Sequence, residues 1–410
     1  MRDHLLPTSP GFWRSPLRSP WFTSVLGIVL LGGIMVLFTT GLVSYAAYNP
    51  GLSPVNDKTP DRGLLGFYLF AWPTDPPWLY RLTQGVHVTL GITLIPVLLA
   101  KLWSVLPKLF TLPPVRSLAH ALERLSLLLL VGGALFEFTT GVLNVQLDYL
   151  FPGSFYPLHF YGAWVFFAAF VTHAVLRVPA AVRNLRHLRD EKSELVSPNP
   201  APSTVSRRGA LAFVGGGSLL LLATTAGRSF DGPLRATALL APHGGPEPGS
   251  GPGGFQINKT AASRGISMTE TSDEAWRLVI EGQGRTVRLS RAELLRLPLY
   301  GAALPIACVE GWSTSDQWWR GVRLRDLAAL VGYGTDAAPD VLVESLQRQG
   351  SFRRAALRDN QVRDPRSLLA LFVNGEPLTA DHGYPARIIV PAAPGVLNTK
   401  WVARMTFGEL

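Results

Sequence analysis

The chain has 410 residues, of which 47% are hydrophobic and 16% charged, and a positive mean hydropathy. It is long enough for two or three domains and too apolar for an ordinary soluble enzyme. A formal charge of +10 does not point to nucleic acid here, because Lys and Arg stand mainly beside apolar segments, where they orient a membrane protein.

Residues 1–21 form a basic tail. Five segments come next, 22–48, 82–106, 118–145, 157–178 and 209–227, each reaching the roughly 20 apolar residues that span a bilayer. Lys and Arg concentrate in the tail, in the second-to-third connection (Lys101, Lys108, Arg116) and in the fourth-to-fifth connection (Arg177, Arg183, Arg186, Arg189, Lys192, Arg207, Arg208). The positive-inside rule makes these cytoplasmic. The loops around 49–80 and 146–156, rich in Pro, Gly and aromatics, then face outward. An odd number of crossings places everything after about 228 outside the cell membrane. Ser206-Arg207-Arg208-Gly209 before the fifth segment reads either as flanking charge or as an internal twin-arginine export signal, and both export the C-terminal residues.

The predicted layout is a four-helix membrane domain (22–178), a basic cytoplasmic linker (179–208), a fifth helix (209–227), a Gly/Pro tether (228–254) and a C-terminal domain (255–410). The tether is long enough to let the last domain dock or swing. Past it, alternating runs at 276–280 and 285–289 and apolar runs at 341–343 and 386–390 predict strands. Short helices are expected at 291–297 and 324–331. The chain is therefore read as multi-domain: an all-α transmembrane bundle of five spanning helices, then an α+β, strand-rich domain.

Four histidines fall in or beside the apolar segments, where an ionisable group needs a reason. His159 and His173 are fourteen residues apart on one helix. At ~1.5 Å rise and ~100° per residue they lie ~21 Å apart on nearly one face. His87 matches His159 in depth at the outer side, and His120 matches His173 at the inner side. Neutral imidazole pairs at matched depths suit one or two haem b irons. The alternative for each is a partnered polar residue or an interface anchor. Glu137 is a further intramembrane acid, for quinol chemistry or for packing. The bundle resembles the dihaem cytochrome b group of membrane proteins, which implies quinone or quinol as a redox partner alongside lipid.

The only cysteine lies in Leu304-Pro305-Ile306-Ala307-Cys308-Val309-Glu310-Gly311-Trp312-Ser313, so an intrachain disulfide or a CxxC site is excluded. Later come Val373-Asn374-Gly375-Glu376-Pro377, Asp381-His382-Gly383-Tyr384-Pro385-Ala386-Arg387 and Asn398-Thr399-Lys400-Trp401. In this order the pieces resemble the catalytic domain of the sulfite oxidase family, in its bacterial periplasmic branch, over about 255–410. The resemblance implies a Mo-molybdopterin cofactor with Cys308 as catalytic thiolate ligand. It also implies Arg387 and Lys400 at the anionic end of the pterin, beside His382, Asn398 and Thr399. Gln256, Lys259, Thr260 and Ser345 fall near further pterin contacts. Arg320, Arg348, Arg353 and Arg354 are candidates for binding a small-molecule substrate.

Together these features predict a membrane-bound molybdenum oxidoreductase that exchanges electrons between an extracytoplasmic substrate and haem b and the quinone pool. Two other readings stay open. One is a metal-free receptor or binding domain on an anchor, and the other a bundle that works as an independent quinol or ferric reductase. Neither the substrate nor the oligomeric state is specified.

Overall fold

The computed structural model describes residues 10–56, 70–110, 117–145, 155–186, 195–196, 205–230, 233–240, 257 and 259–410. Gln256, most of the basic linker and of the Gly/Pro tether, and the side chain of His120 lie outside the described residues. The chain divides into two compact units. One is Met1–Thr39, Thr89–Leu143 and Leu158–Ala223; the other is Thr40–Val88, Asn144–Pro157 and Thr224–Leu410.

Five long helices form where the apolar runs predict them: α1 (Pro20–Ala46), α2 (Leu79–Val105), α3 (Leu118–Asn144), α4 (Tyr156–Arg186) and α5 (Arg207–Thr225). All five are long and apolar enough to cross a membrane. In the first unit, Phe22, Leu26, Leu30 and Ile34, one turn apart on α1, pack with Leu94, Val97 and Leu98 of α2 and Phe166 and Phe170 of α4. Gly33 permits that approach, since a Cβ there would lie 2.4 Å from Leu94 Cδ1. Leu118, Leu122, Leu125 and Leu128 form an exposed stripe on α3, and Phe213, Leu219 and Leu220 are exposed on α5. Helix α4 runs eight residues past the predicted end at 178, through Pro179 to Arg186. Good helix formers come after the proline, and Asn184 Nδ2 ties the extension to Ser24 Oγ on α1 at 3.2 Å.

In the second unit two five-stranded sheets carry the C-terminal domain. The first orders β2 (Arg285–Leu289), β1 (Leu278–Gly282), β10 (Val402–Phe407), β5 (Val341–Ser345) and β6 (Arg354–Leu357), with β1 and β10 parallel. The second orders β3 (Tyr300–Leu304), β4 (Gln317–Arg323), β7 (Leu368–Val373) and β8 (Glu376–Pro377), with β9 (Arg387–Ile389) also paired to β7. Turn chemistry sets the registers. Asn374 and Gly375 both adopt positive φ in the two-residue turn between β7 and β8, as this hairpin class requires. The central β7 is nearly all buried, which explains its unbroken Leu-Leu-Ala-Leu-Phe-Val run. Three short helices complete the domain: α6 (Arg291–Leu294), α7 (Leu324–Leu330) and α8 (Asp359–Arg363). The main core gathers Trp276, Leu278, Ile280, Leu324, Leu327, Leu369, Leu371, Ile388 and Met405. Each such side chain contributes about 1.5–3 kcal/mol by burial.

The 40–88 stretch belongs to this same unit. Trp72 Nε1 donates to the Ala392 carbonyl at 2.7 Å, and Asn49 Nδ2 donates to Gln361 Oε1 at 2.8 Å. Asn56 Oδ1 accepts from the Ala356 amide at 2.5 Å, and Arg366 pairs with Asp75 at 2.8 Å. These bonds span 291 to 320 residues of sequence and satisfy buried polar atoms from both sides.

Candidate molybdopterin site

Cys308 stands in the loop between β3 and β4, held by backbone bonds on every side. Its amide donates to the Trp312 carbonyl at 2.8 Å, and the Gly311 amide donates to the Cys308 carbonyl at 3.1 Å. Gly311 closes this turn at φ +90°, a conformation that glycine adopts at least cost. The Gly395 amide donates to Ala307 O at 2.7 Å, tying in the 391–397 segment. Glu310 is buried and accepts from Trp312 Nε1 at 2.8 Å. Burial, then the Glu310 carboxylate, pushes the Cys308 thiol well above its ordinary pKa, while Lys259 acts in the opposite sense. Left to itself this sulfur stays protonated and inert; coordination to a metal removes the proton.

Two buried cations come from β9 and from the segment leading into β10. Arg387 donates to the carbonyls of His382 at 3.0 Å and Asn398 at 3.3 Å, and its guanidinium lies 5.1 Å from the Trp319 ring centre. Its Nε is buried with no partner. Burial pulls the Arg387 pKa down to about 9. Lys400 Nζ donates to the backbone carbonyls of Lys259 at 3.0 Å and Asp381 at 2.7 Å. Burial, then Arg387 and Lys259, lowers the Lys400 pKa well below its ordinary value. Gly383, at φ +109°, passes between them, for a Cβ there would lie 3.1 Å from Lys400 Cβ and 3.2 Å from Arg387 Cβ.

The other predicted residues take distinct places. His382 is buried, with Nδ1 bonded to Thr379 Oγ1 at 2.8 Å. Asn398 Oδ1 accepts from the Val390 amide at 2.9 Å, which fixes the strand next to Arg387. Thr399 Oγ1 is buried and unpartnered. Lys259 Nζ reaches the Ser351 carbonyl at 3.4 Å and stacks 5.7 Å from the Phe352 ring centre. Ser345 donates to the Lys400 carbonyl at 2.7 Å and so positions the lysine. Thr260 is exposed and caps a short 3-10 turn through the Ser263 amide at 3.2 Å. Of the arginines considered for substrate, Arg348 is paired with Glu270 at 2.8 Å and Arg320 lies 5.6 Å from the Phe372 ring centre.

These residues fit an anionic, pterin-type cofactor. After burial, the charges of Arg387 and Lys259 lower the Lys400 pKa, with Asp381 acting in the opposite sense, and a bound anion would offset the repulsion among the cations. The orphaned Arg387 Nε and Thr399 Oγ1 are buried polar atoms awaiting a partner. Among the described residues no cluster of three or more His, Cys, Asp or Glu could hold a metal ion.

Sequence reasoning missed a second wall. Tyr48, just after α1, and Tyr80, at the start of α2, bond to each other through their hydroxyls at 3.1 Å. They are fully buried in a cluster with Ala307, Val309 and Phe352. Burial and then Tyr80 push the Tyr48 phenol well above its ordinary pKa, with a smaller contribution from Cys308. The aromatic richness of the 49–80 loop was the one available signal.

The C-terminal domain is similar to sulfite-oxidase-like molybdopterin oxidoreductase domains. Residues 266–409 match the family described as "Oxidoreductase molybdopterin binding domain". Over 133 residues the chain is 33% identical to the "Uncharacterized oxidoreductase YuiH" of Bacillus subtilis (strain 168), covering 32% of this chain and 65% of that protein. It is 30% identical over 166 residues to the mitochondrial sulfite oxidase of Homo sapiens, covering 34% of this chain and 30% of that enzyme. The sulfane dehydrogenase SoxCD of Paracoccus pantotrophus is similar at 26% identity over 33% of this chain and 39% of its own, with a TM-score of 0.30. The chain thus spans under two thirds of the length of these relatives.

The haem-ligand candidates sit on the helices. His87 Nδ1 lies 3.3 Å from Thr40 Oγ1, and its ring fills the space above Gly41, where a Cβ would approach His87 Cε1 to 2.9 Å. His159 Nδ1 lies 2.9 Å from Thr140 Oγ1 and 3.1 Å from Glu137 Oε2, and a Cβ on Gly141 would lie 3.4 Å from His159 Cε1. The two settings share a motif, Phe38-Thr39-Thr40-Gly41 and Phe138-Thr139-Thr140-Gly141, spaced by 100 residues. That spacing escapes a search for repeats of 20–50 residues. His173 is half-buried on α4.

Proposed function

We propose that the chain is a membrane-bound molybdenum oxidoreductase. It passes electrons between a small-molecule substrate outside the membrane and a haem b and quinone pool within it. The observation that carries this reading is the convergence on one domain of a buried thiol, Cys308, with the cations Arg387 and Lys400, whose pKa values burial lowers, and with the buried, unpartnered Arg387 Nε and Thr399 Oγ1. Cys308 would hold the metal through its thiolate; Arg387, Lys400 and Lys259 would hold the anionic pterin end. The bound group supplies two-electron oxidation or reduction of substrate. The protein supplies placement and charge. Glu310, anchored by Trp312, keeps the loop rigid, and the Tyr48–Tyr80 pair walls the thiol side against water.

The haem reading draws on the doubled Phe-Thr-Thr-Gly setting. In both copies a threonine hydroxyl engages Nδ1 and so orients the ring, and a glycine clears space beside the imidazole. Membrane crossing draws on the exposed Leu stripe of α3 and the exposed Phe213 of α5, apolar faces that water disfavours and lipid accepts. The C-terminal domain then lies on the extracytoplasmic side.

The test is elemental analysis for Mo and Fe with a pyridine haemochrome assay on the purified full chain. One Mo per chain and at least one haem b support the reading. Protein free of Mo would reduce the domain to a binding module, and Mo without haem would remove the membrane electron route.

A further inference from the structure

We propose that α2 couples the two candidate cofactor sites: Gln84 and Val88, which bracket His87, clamp the loop bearing Cys308 and fix an electron route within one chain. The proposal rests on reading His87 as a haem ligand and Cys308 as a metal ligand.

The contacts are specific. Gln84 Nε2 donates to the Val309 carbonyl, the peptide next to Cys308, at 2.5 Å. Four residues on, Val88 lies against Gly311, where a Cβ would come within 2.6 Å of Val88 Cβ. Residues 84 and 88 are one helical turn apart, ~6 Å along the axis, and His87 lies within that turn. A third segment locks the joint. Ser229 Oγ donates to the Gly311 carbonyl at 2.6 Å, and Ser313 Oγ donates to the Ser229 carbonyl at 2.9 Å. The Ser313 amide donates to the Arg228 carbonyl at 2.7 Å. Gly85 admits Ser229, since a Cβ there would lie 2.8 Å from Ser229 Cβ. Two glycines, Gly85 and Gly311, thus let α2, residues 228–229 and the Cys308 loop meet at backbone distance.

The clamp is stiffened from behind. Three polar contacts join α1 to α2 in successive turns: Thr40 to His87 at 3.3 Å, Ser44 to Thr83 at 3.0 Å and Tyr48 to Tyr80 at 3.1 Å. The last rung stands in the cluster that flanks Cys308. An anchor alone needs only apolar packing. Here the bond goes from a side chain three residues before the histidine to the peptide beside the thiol, so it sets the separation of the two sites. The redox step moves one electron: a ferrous haem becomes ferric as the metal centre gains one electron, or the reverse. No atom or proton passes between the sites. Gln84, Val88 and Gly311 are positioning residues.

The experiment uses the full chain in detergent with its cofactors bound. Flash-generated deazaflavin semiquinone reduces the haem, and haem reoxidation is followed optically. The expected result is a phase whose rate does not depend on protein concentration. Gln84→Leu removes one hydrogen bond and Gly311→Ala forces the loop off Val88; each should slow the phase about fivefold at unchanged haem and Mo content. Val88→Ala added to Gly311→Ala should restore much of the rate. A cofactor-independent readout is a Val88→Cys, Gly311→Cys pair in a Cys308→Ser chain. Its Cβ atoms need to move by about 1 Å to reach disulfide geometry, so mild oxidation should cross-link it. An unchanged rate in Gln84→Leu and Gly311→Ala, or no cross-link, overturns the clamp while leaving both cofactor assignments standing. A chain without haem overturns the underlying reading and the proposal together, and haem content separates that outcome from the others.

Discussion

Lys400→Met should have opposite effects on the empty and the loaded protein. In the empty protein the ammonium is almost wholly buried among other cations, and its pKa is pushed well down. Removing a buried charge returns several kcal/mol of desolvation cost. Against that, two carbonyls, Lys259 O and Asp381 O, lose their donor, at about 1 kcal/mol each. The first effect is larger, so Lys400→Met raises the melting temperature of protein expressed without cofactor. The pH dependence has a definite sign. A lysine whose folded pKa is depressed holds fewer protons folded than unfolded across the interval below the unfolded value of about 10.4. Stability therefore rises with pH in that interval, by at most about 1.4 kcal/mol per unit for one proton. The substitution removes this slope. In the loaded protein the anion compensates the charge, so the same change lowers Mo content and thermal stability. Scanning fluorimetry of both forms between pH 7 and 10 makes the comparison. A substitution that destabilises the empty protein at pH 7 and keeps the slope would refute the charge-cluster reasoning.

The helices supply two further expected outcomes. His87→Ala and His159→Ala should each lower haem content, whereas Thr40→Val and Thr140→Val should only weaken haem binding, by roughly 10–100-fold in affinity; haemochrome titration measures both. Gly162→Val should displace Glu137, since even a Cβ would lie 2.3 Å from Glu137 Oε1. Overpacking of this kind costs about 1–3 kcal/mol, read as a lower melting temperature with loss of the His159 haem signal.

Much of the fold was legible because its signals are local. Apolar runs located all five long helices, alternation located β1 and β2, and short apolar runs located β5 and β9. Pro179 misled the estimate of where α4 ends, because the helix formers after it outweigh one lost backbone bond. At the site, Cys308, Arg387 and Lys400 could be read from the motifs around them. Ser345 was read as falling near a further pterin contact, and its hydroxyl donates to the Lys400 carbonyl. Tyr48, Tyr80 and Gln84 could not be read, because they meet the cysteine loop only through tertiary packing across more than 200 residues. The doubled Phe-Thr-Thr-Gly setting was visible in the sequence at a spacing of 100, and its meaning needed the histidines packed against it.

The most direct measurement of the central claim is Mo K-edge X-ray absorption on the full chain and on Cys308→Ser. A thiolate from Cys308 predicts one Mo–S scatterer fewer in the variant, with the pterin sulfurs unchanged. Identical spectra from the two proteins, or a wild-type chain that binds no molybdenum at all, would contradict it.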